Sequence, residues 1–135
     1  MSLFTFGDMQ EIVCTHLGTT YRFYPKANET FTMDKGGIRT NDDANQITSN
    51  GQMMRQLNRT RWSVEGPIAV DTIADTELTA LNVLAASPTS GDWQFSLISG
   101  AIYKGTGSPV GDFQLDSNSG QLTLKVAGNY ELEKI

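Results

Sequence analysis

Residues 59–71 read RTRWSVEGPIAVD, and apolar and polar side chains alternate along them. The apolar set is Trp62, Val64, Ile68 and Val70, and the polar set is Arg59, Arg61, Ser63 and Glu65. A period of two is typical of a strand that buries one face, and the pattern predicts such a strand over residues 53–70. Gly66 and Pro67 predict a bulge or bend within it.

A single helix is predicted after this strand, over residues 75–86. Its apolar stripe at helical spacing consists of Leu78, Leu81, Leu84 and Ala85. Asp75 is placed to cap the start, and Pro88 lies just past the end, where helices usually stop. A strand followed by a helix is therefore the central unit of the predicted fold.

The rest of the chain predicts short antiparallel strands. Before the centre they cover residues 11–16, 19–24 and 29–33. After the helix they contain Trp93, Phe95 and Leu97, then residues 101–105, then Phe113 and Leu115, and beyond a turn at residues 118–120 they contain Leu122, Leu124 and Val126. We therefore predict one domain over residues 1–135, a mainly β, antiparallel β-sandwich or half-open barrel of about five to eight strands with one α-helix. Residues 1–20 would form an N-terminal arm and the first strands.

Residues 34–52 read DKGGIRTNDDANQITSNGQ and show no sustained apolar periodicity. The pairs Gly36–Gly37 and Asn50–Gly51 are turn signals. A long polar loop inside a compact domain is unusual, and it is commonly either functional or disordered. We therefore expect this loop to be mobile in the free chain and to carry function.

The charge distribution argues against a protein that grips nucleic acid. Residues 1–70 carry seven basic and seven acidic side chains, whereas residues 71–135 carry three basic and eight acidic ones, so the net charge of −5 comes from the second half. Binding of phosphates needs a basic surface, and the only local basic face is the one around Arg55, Arg59 and Arg61. The 39% hydrophobic content is normal for a folded domain.

No catalytic, cofactor or metal site is predicted, and we do not expect an enzyme. Cys14 and His16 share one side of a predicted strand, where packing is favoured over a nucleophilic pair. Residues 116–120 resemble a calcium loop but lack its glutamate, which favours a β-hairpin turn. Phosphate-binding loops, dinucleotide fingerprints and nucleophile elbows are absent from the sequence. With one cysteine, no signal peptide and no apolar span, we expect a soluble, cytoplasmic chain without disulfides.

The order of these parts resembles the tail tube proteins of long-tailed bacteriophages, especially the small subunits of contractile tails. RTRWSVEGPIAVD followed by TELTALNVLAAS, residues 76–87, is similar to that family's junction of strand and helix. DFQLDSNSGQLTLKVAG, residues 112–128, is similar to its closing hairpin, and residues 34–52 stand where the family has its stacking hairpin.

The resemblance implies a non-enzymatic virion protein with the tail-tube fold. Subunits would close into hexameric rings and stack into a hollow tail tube, which conducts DNA into the host without binding it specifically. Implied partners are further copies of the chain and sheath, baseplate or initiator proteins, and no membrane insertion is implied. The tail would be assembled in the host cytoplasm. The implied stacking residues are Lys35, Gly36, Gly37, Arg39, Asp42, Asp43, Asn50 and Gly51. Arg55, Arg59 and Arg61 would lie at subunit contacts and pair with acids of a neighbour, while carboxylates would outnumber cations on the inner wall.

Two other functions stay open at this point. The inner-tube proteins of type VI secretion systems share the fold and differ in what passes through the tube. A ligand-binding β-barrel would need an enclosed apolar pocket, for which the candidate lining residues are Trp62, Trp93, Phe95 and Phe113.

Overall fold

A computed structural model describes residues 3–40 and 45–135. The chain is mainly β with one helix, as predicted, but its described part has more and shorter strands than expected. The strands before the helix are β1 (Met9–His16), β2 (Thr19–Phe23), β3 (Thr32–Asp34), β4 (Gly37–Thr40), β5 (Gln46–Ile47), β6 (Met53–Met54), β7 (Leu57–Thr60) and β8 (Ser63–Ala69). The helix is α1 (Thr76–Ala86), and β9 (Gly91–Leu97), β10 (Ile102–Pro109), β11 (Leu115–Asp116), β12 (Gln121–Gly128) and β13 (Glu133–Lys134) follow it.

One antiparallel sheet forms the body of the protein. Its strands run in the order β2-β1-β9-β10-β12-β8-β3, with β11 added to β12 and β13 added to β10. Each pair of neighbouring strands along this order is antiparallel.

The sheet curls toward its own edge without closing. Residues after β2 reach the far end of β8, where the Ala69 amide donates to the Tyr24 carbonyl at 2.8 Å. One isolated bridge joins Pro25 to Ile68 there. Because this contact is a single bridge and not a paired strand, the body is a half-open barrel, within the class predicted from the sequence.

The core lies inside this curl, and Trp62 is at its centre with 0% exposure. Its ring meets the Phe95 ring edge to face, with centroids 5.8 Å apart. A Cβ atom at Gly105, Gly107 or Gly128 would stand 2.7–2.8 Å from the Trp62 ring. Glycines on β10 and β12 therefore make room for the indole, which is a close approach that only a missing side chain permits.

The predicted long strand over residues 53–70 is three strands instead of one. The predicted alternation is nevertheless confirmed, because Val64 and Ile68 are buried and Arg61 and Glu65 are exposed. The expected bulge at Gly66 is wrong, since the register between β8 and β12 continues through it without a shift. Gly66 instead accommodates the Phe31 ring, which a Cβ atom would approach to 2.4 Å.

The helix begins one residue later than predicted and packs against β10. Leu81 and Leu84 are buried, as expected, but Ala85 is exposed. Asp75 occupies the N-cap position, as predicted, but it has left-handed backbone geometry, with φ of 53°, and its side chain makes no capping hydrogen bond. Its carboxylate accepts a hydrogen bond from the Thr79 hydroxyl at 3.3 Å instead.

Candidate assembly interface

Residues 37–40 and 45–60 contain two antiparallel strand pairs of one β-hairpin, which we call the stacking hairpin after the role that the resemblance implies. Near its base β4 pairs with β7, Gly37 opposite Thr60 and Thr40 opposite Leu57. Near its tip β5 pairs with β6, and the Gly51 amide donates to the Thr48 carbonyl at 2.9 Å. The prediction of a loop without regular structure is therefore wrong over β4 and β5. The predicted sites Asp42 and Asp43 lie outside the described residues.

Large apolar side chains of the stacking hairpin point into solvent. Ile47 at the tip is 68% exposed, and Ile38 near the base is 60% exposed. The other three are Met53, Met54 and Leu57, which are 65%, 51% and 59% exposed. Five large apolar side chains exposed on one short segment suggest an interaction site, so the hairpin is the first candidate interface.

The foot of the hairpin is fixed to the C-terminal segment. Gly36 bridges to Glu131, and the Leu132 amide donates to the Lys35 carbonyl at 2.9 Å. Gly36 has φ of +76°, and a Cβ atom there would meet three backbone atoms at 2.7–2.8 Å, those of Thr60, Trp62 and Tyr130. Only glycine fits this junction, which is why a glycine pair stands at the base of the hairpin.

An ion pair also braces the foot. Arg39 on β4 bonds the Asp34 carboxylate, which also accepts the Gly36 amide at 2.9 Å. The Arg39 hydrogen bond, followed by the Gly36 one, holds the pKa of Asp34 below its usual value. Both partners are largely solvated, so the pair orients the hairpin more than it stabilises the fold.

The other predicted stacking residues lie at the two ends of the hairpin. The Lys35 ammonium at the foot stands 5.9 Å from the centre of the Tyr103 ring. Asn50 and Gly51 form the tip turn, where the Thr48 hydroxyl contacts the Asn50 side chain. The structure therefore groups Lys35, Gly36, Gly37 and Arg39 at the foot and separates them from Asn50 and Gly51.

The three arginines predicted at subunit contacts are all exposed on the hairpin or at its base. Arg55 donates to the Thr40 hydroxyl at 2.8 Å, and the Arg59 guanidinium stands 6.0 Å from the centre of the Tyr130 ring. None of them forms an ion pair with any residue in the described ranges. The structure thus brings Arg59 and Arg61 together at the base, while Arg55 lies nearer the tip.

A cleft of about 780 Å³ opens at the base of the hairpin, and we call it the foot cleft. It is lined by Gly37, Ile38, Arg59, Thr60, Arg61, Gly128, Asn129, Tyr130 and Glu131. Tyr130 and Glu131 were not predicted from the sequence, because they are about 70 residues from Arg59 and Arg61 along the chain and no motif links the two segments. Tyr130 is 74% exposed and has φ of 59°, an uncommon backbone geometry for a bulky residue.

The opposite end of β8 carries acidic side chains. The strand leads from Ser63 at the hairpin to Ala69, a span of roughly 20 Å at about 3.3 Å per residue. Asp71, Asp75 and Glu77 follow, and the Val70 amide ties this end to the Gly120 carbonyl of the turn after Asp116. Ile73 at this end is an apolar residue that is 96% exposed. Lys26 is a cation at the same end, where its ammonium donates a hydrogen bond to the Ser119 carbonyl. The two ends of the body therefore differ in charge.

Cys14 and His16 do not form a reactive pair. Cys14 is 0% exposed, and burial, followed by the nearby Asp92 carboxylate, raises its pKa to about 12. His16 Nε2 lies 3.1 Å from the Thr89 carbonyl and 2.9 Å from the Ser87 hydroxyl. A carbonyl only accepts, so Nε2 carries the proton and cannot take one from Ser87. His16 therefore anchors the segment between α1 and β9 to β1.

The aromatic residues proposed to line a ligand pocket belong to the core instead. Trp62, Trp93 and Phe95 are at most 1% exposed, and the Trp93 and Phe95 rings stack with centroids 6.3 Å apart. Phe113 is partly buried and packs against the same cluster. These residues fill the interior, as aromatics at strand spacing usually do, so they do not line the enclosed apolar pocket that a ligand-binding barrel would need.

Neither a scan against models of protein families nor a search of curated proteins finds a match to the sequence. Among the described residues, no group of three or more histidine, cysteine or acidic side chains is arranged to hold a metal ion. No described helix is long and apolar enough to cross a bilayer. Function has to be inferred from the exposed surfaces of the hairpin and of the two ends of the body.

Proposed function

We propose that this protein is the tail tube subunit of a long-tailed bacteriophage, a structural protein that stacks head to tail into a hollow tube. The observation that carries the proposal is the stacking hairpin, whose described residues, 37–40 and 45–60, carry five large apolar side chains exposed by 51–68%. A monomer gains nothing from this exposure, whereas an adjacent copy would remove it from water.

Charge supports a head-to-tail arrangement. Residues 37–61 contain four arginines, Arg39, Arg55, Arg59 and Arg61, against Asp42 and Asp43, so this segment has a net positive charge of two. The far end of β8 presents Asp71, Asp75 and Glu77 beside the exposed Ile73. A contact between two different surfaces of the same chain is heterologous, and such contacts repeat into rings or filaments. The hairpin of one subunit would therefore meet the acidic end of the next.

The resemblance supplies the rest of the proposal. Ring closure around a channel would pair exposed strand edges, and β2 and β3 are the two edges of the main sheet. DNA would pass through a lumen in which carboxylates outnumber cations, because a dense array of cations would retain phosphates. Arg55, Arg59 and Arg61 would lie at contacts between subunits and not on the inner wall.

Electron microscopy of the concentrated protein tests the proposal, and ring-stacked tubes are the expected result. Replacing residues 41–56 with an Asn-Gly turn shortens the hairpin without changing its base, because Thr40 and Leu57 face each other across the strands. This variant should fold and fail to stack. Tubes of normal length from it would rule out the hairpin as the stacking element.

A matched pair of charge reversals tests the electrostatic part. Arg55→Glu should raise the concentration needed for stacking by about tenfold, equivalent to about 1.4 kcal/mol. Lys134→Glu makes the same change of charge on β13, outside the hairpin, and should leave that concentration within about twofold. Equal effects of the two substitutions would show that only net charge matters.

A further inference from the structure

The N-terminal residues 3–7, which we call the arm, expose large apolar side chains. Leu3, Phe4 and Phe6 are 86%, 93% and 92% exposed. The arm forms no helix or strand and leaves the sheet at Asp8, whose carbonyl accepts the Ile98 amide at 2.9 Å. Two phenylalanines exposed to water on one short segment are unfavourable, because burying each would remove about 150–250 Å² of surface from solvent.

The foot cleft has the chemistry to receive such a segment. Ile38 and Tyr130 present 60% and 74% of their surface, which gives the cleft an aliphatic wall and an aromatic wall. Arg59 already lies over the Tyr130 ring, and Arg61 lines the same cleft. Arginine stacks favourably on aromatic faces, so incoming phenyl rings would meet both apolar and cationic partners.

We propose that the arm of one copy docks in the foot cleft of a second copy, with Phe4 and Phe6 against Ile38 and Tyr130. In the isolated chain the arm does not fill its own cleft, since Phe4 and Phe6 remain almost fully exposed. The contact joins two different surfaces, so it is heterologous and can repeat around a ring or along a filament. It requires a second copy but no tube, and it can therefore fail or succeed independently of the proposed function.

The size of this contact sets its expected strength. Two phenylalanines bury roughly 300–500 Å² on the arm side, and a similar area of the cleft brings the total below the about 1,200 Å² of a stable specific interface. The arm therefore adds to other contacts between copies and does not hold them together alone. Its effect is measured best by direct binding.

A labelled peptide of residues 3–8, LFTFGD, is the probe for the first experiment. The receptor is the full chain with Phe4→Ala and Phe6→Ala, whose own arm no longer competes. Fluorescence anisotropy should show saturable binding, which weakens by about tenfold or more when Tyr130→Ala is added. Tyr24→Ala removes another tyrosine, 54% exposed and outside the cleft, and should leave binding unchanged. Absence of binding, or equal binding by the Tyr130→Ala receptor, overturns the proposal.

Disulfide trapping separates docking between copies from docking within one chain. Phe6→Cys and Ile38→Cys are made as separate full-length proteins, mixed and oxidised. The mixture should give a disulfide-linked dimer joining position 6 of one copy to position 38 of the other. Buried Cys14 does not compete, because its pKa of about 12 keeps the thiol protonated.

A second mixture, Phe6→Cys with Ile73→Cys, is the control, because Ile73 is 96% exposed at the opposite end of β8. It should form far less of the mixed dimer. The double variant Phe6→Cys with Ile38→Cys tests the other arrangement. If it closes only within the monomer while the mixture of single variants gives no dimer, the arm binds its own cleft and the proposal is wrong.

Discussion

The body of the sheet and the stacking hairpin contain similar apolar residues in opposite environments. In the body, Ile12 and Leu122 are 0% exposed, whereas Ile38 and Ile47 of the hairpin are 60% and 68% exposed. Strand pairing alone gives the hairpin its register, because it has no second layer to pack against. The body therefore buries its apolar residues within one chain, whereas those of the hairpin stay exposed and, under the proposed function, would be covered by a second copy.

The largest expected effect is at the junction between the two regions. Gly36→Ala should destabilise the protein by about 3 kcal/mol or more, since it combines a left-handed backbone with close backbone contacts. Urea unfolding measures this. Gly51→Ala is the matched control, because its φ is +91° but nothing lies within 4 Å of the added Cβ, and it should cost only about 1–2 kcal/mol. If the two variants unfolded at similar urea concentrations, the backbone around Gly36 would be able to move away from an added Cβ atom.

The next effect compares one leucine from each region. Leu122→Ala removes a 0% exposed side chain and should cost about 2–5 kcal/mol of unfolding free energy. Leu57→Ala, at 59% exposure, should change it by no more than about 0.5 kcal/mol and yet impair assembly. If Leu57→Ala destabilised the dilute monomer as strongly as Leu122→Ala, the hairpin would belong to the cooperative core.

A smaller effect is expected from acid at the hairpin foot. The pKa of Asp34 is lowered in the folded state, so its interactions are fully present above the unfolded value of 3.8 and are lost as pH falls through the lower folded pKa. Amide exchange at Gly36 should therefore accelerate in this acidic range once intrinsic exchange is corrected for. In Asp34→Asn that acceleration should be absent. If amide exchange at Gly36 began to accelerate well above pH 3.8, protonation of another group would be its cause.

The smallest expected effect is the absence of a reaction at Cys14. Burial raises its pKa to about 12, so a thiol reagent at pH 8 should not modify the native chain and should label it only on unfolding. A cysteine placed at Ile47, which is 68% exposed, should react at once and serves as the control. Because the unfolded thiol loses its proton first, the contribution of Cys14 to stability should decline as pH rises above the ordinary value of 9.0. Rapid labelling of Cys14 in the native chain would contradict its burial in the core.

The sequence predicted the strands and the helix that bury one face, because their apolar residues recur at a regular spacing. The alternation around Val64 and Ile68 and the stripe of Leu81 and Leu84 are both confirmed, since one-sided burial imposes a period of two or of about 3.6 residues. The pairing inside residues 37–60 left no such pattern, because neither face of the hairpin is buried within the chain. The left-handed geometry of Asp75 was not predicted either. An aspartate suits the N-cap position by its residue type, but that type does not specify the backbone angles it adopts there.

The sequence by itself determined the fold class, the one helix, the closing turn near Gly120 and the acidic second half. Only the tertiary structure decided the strand order, the foot of the hairpin and the cleft that joins Arg59 to Tyr130. The physical reason is the separation along the chain over which each effect acts. Periodicity, turn residues and composition act over a few neighbours along the chain, whereas Gly36 meeting Glu131 depends on how a curled sheet brings distant segments together.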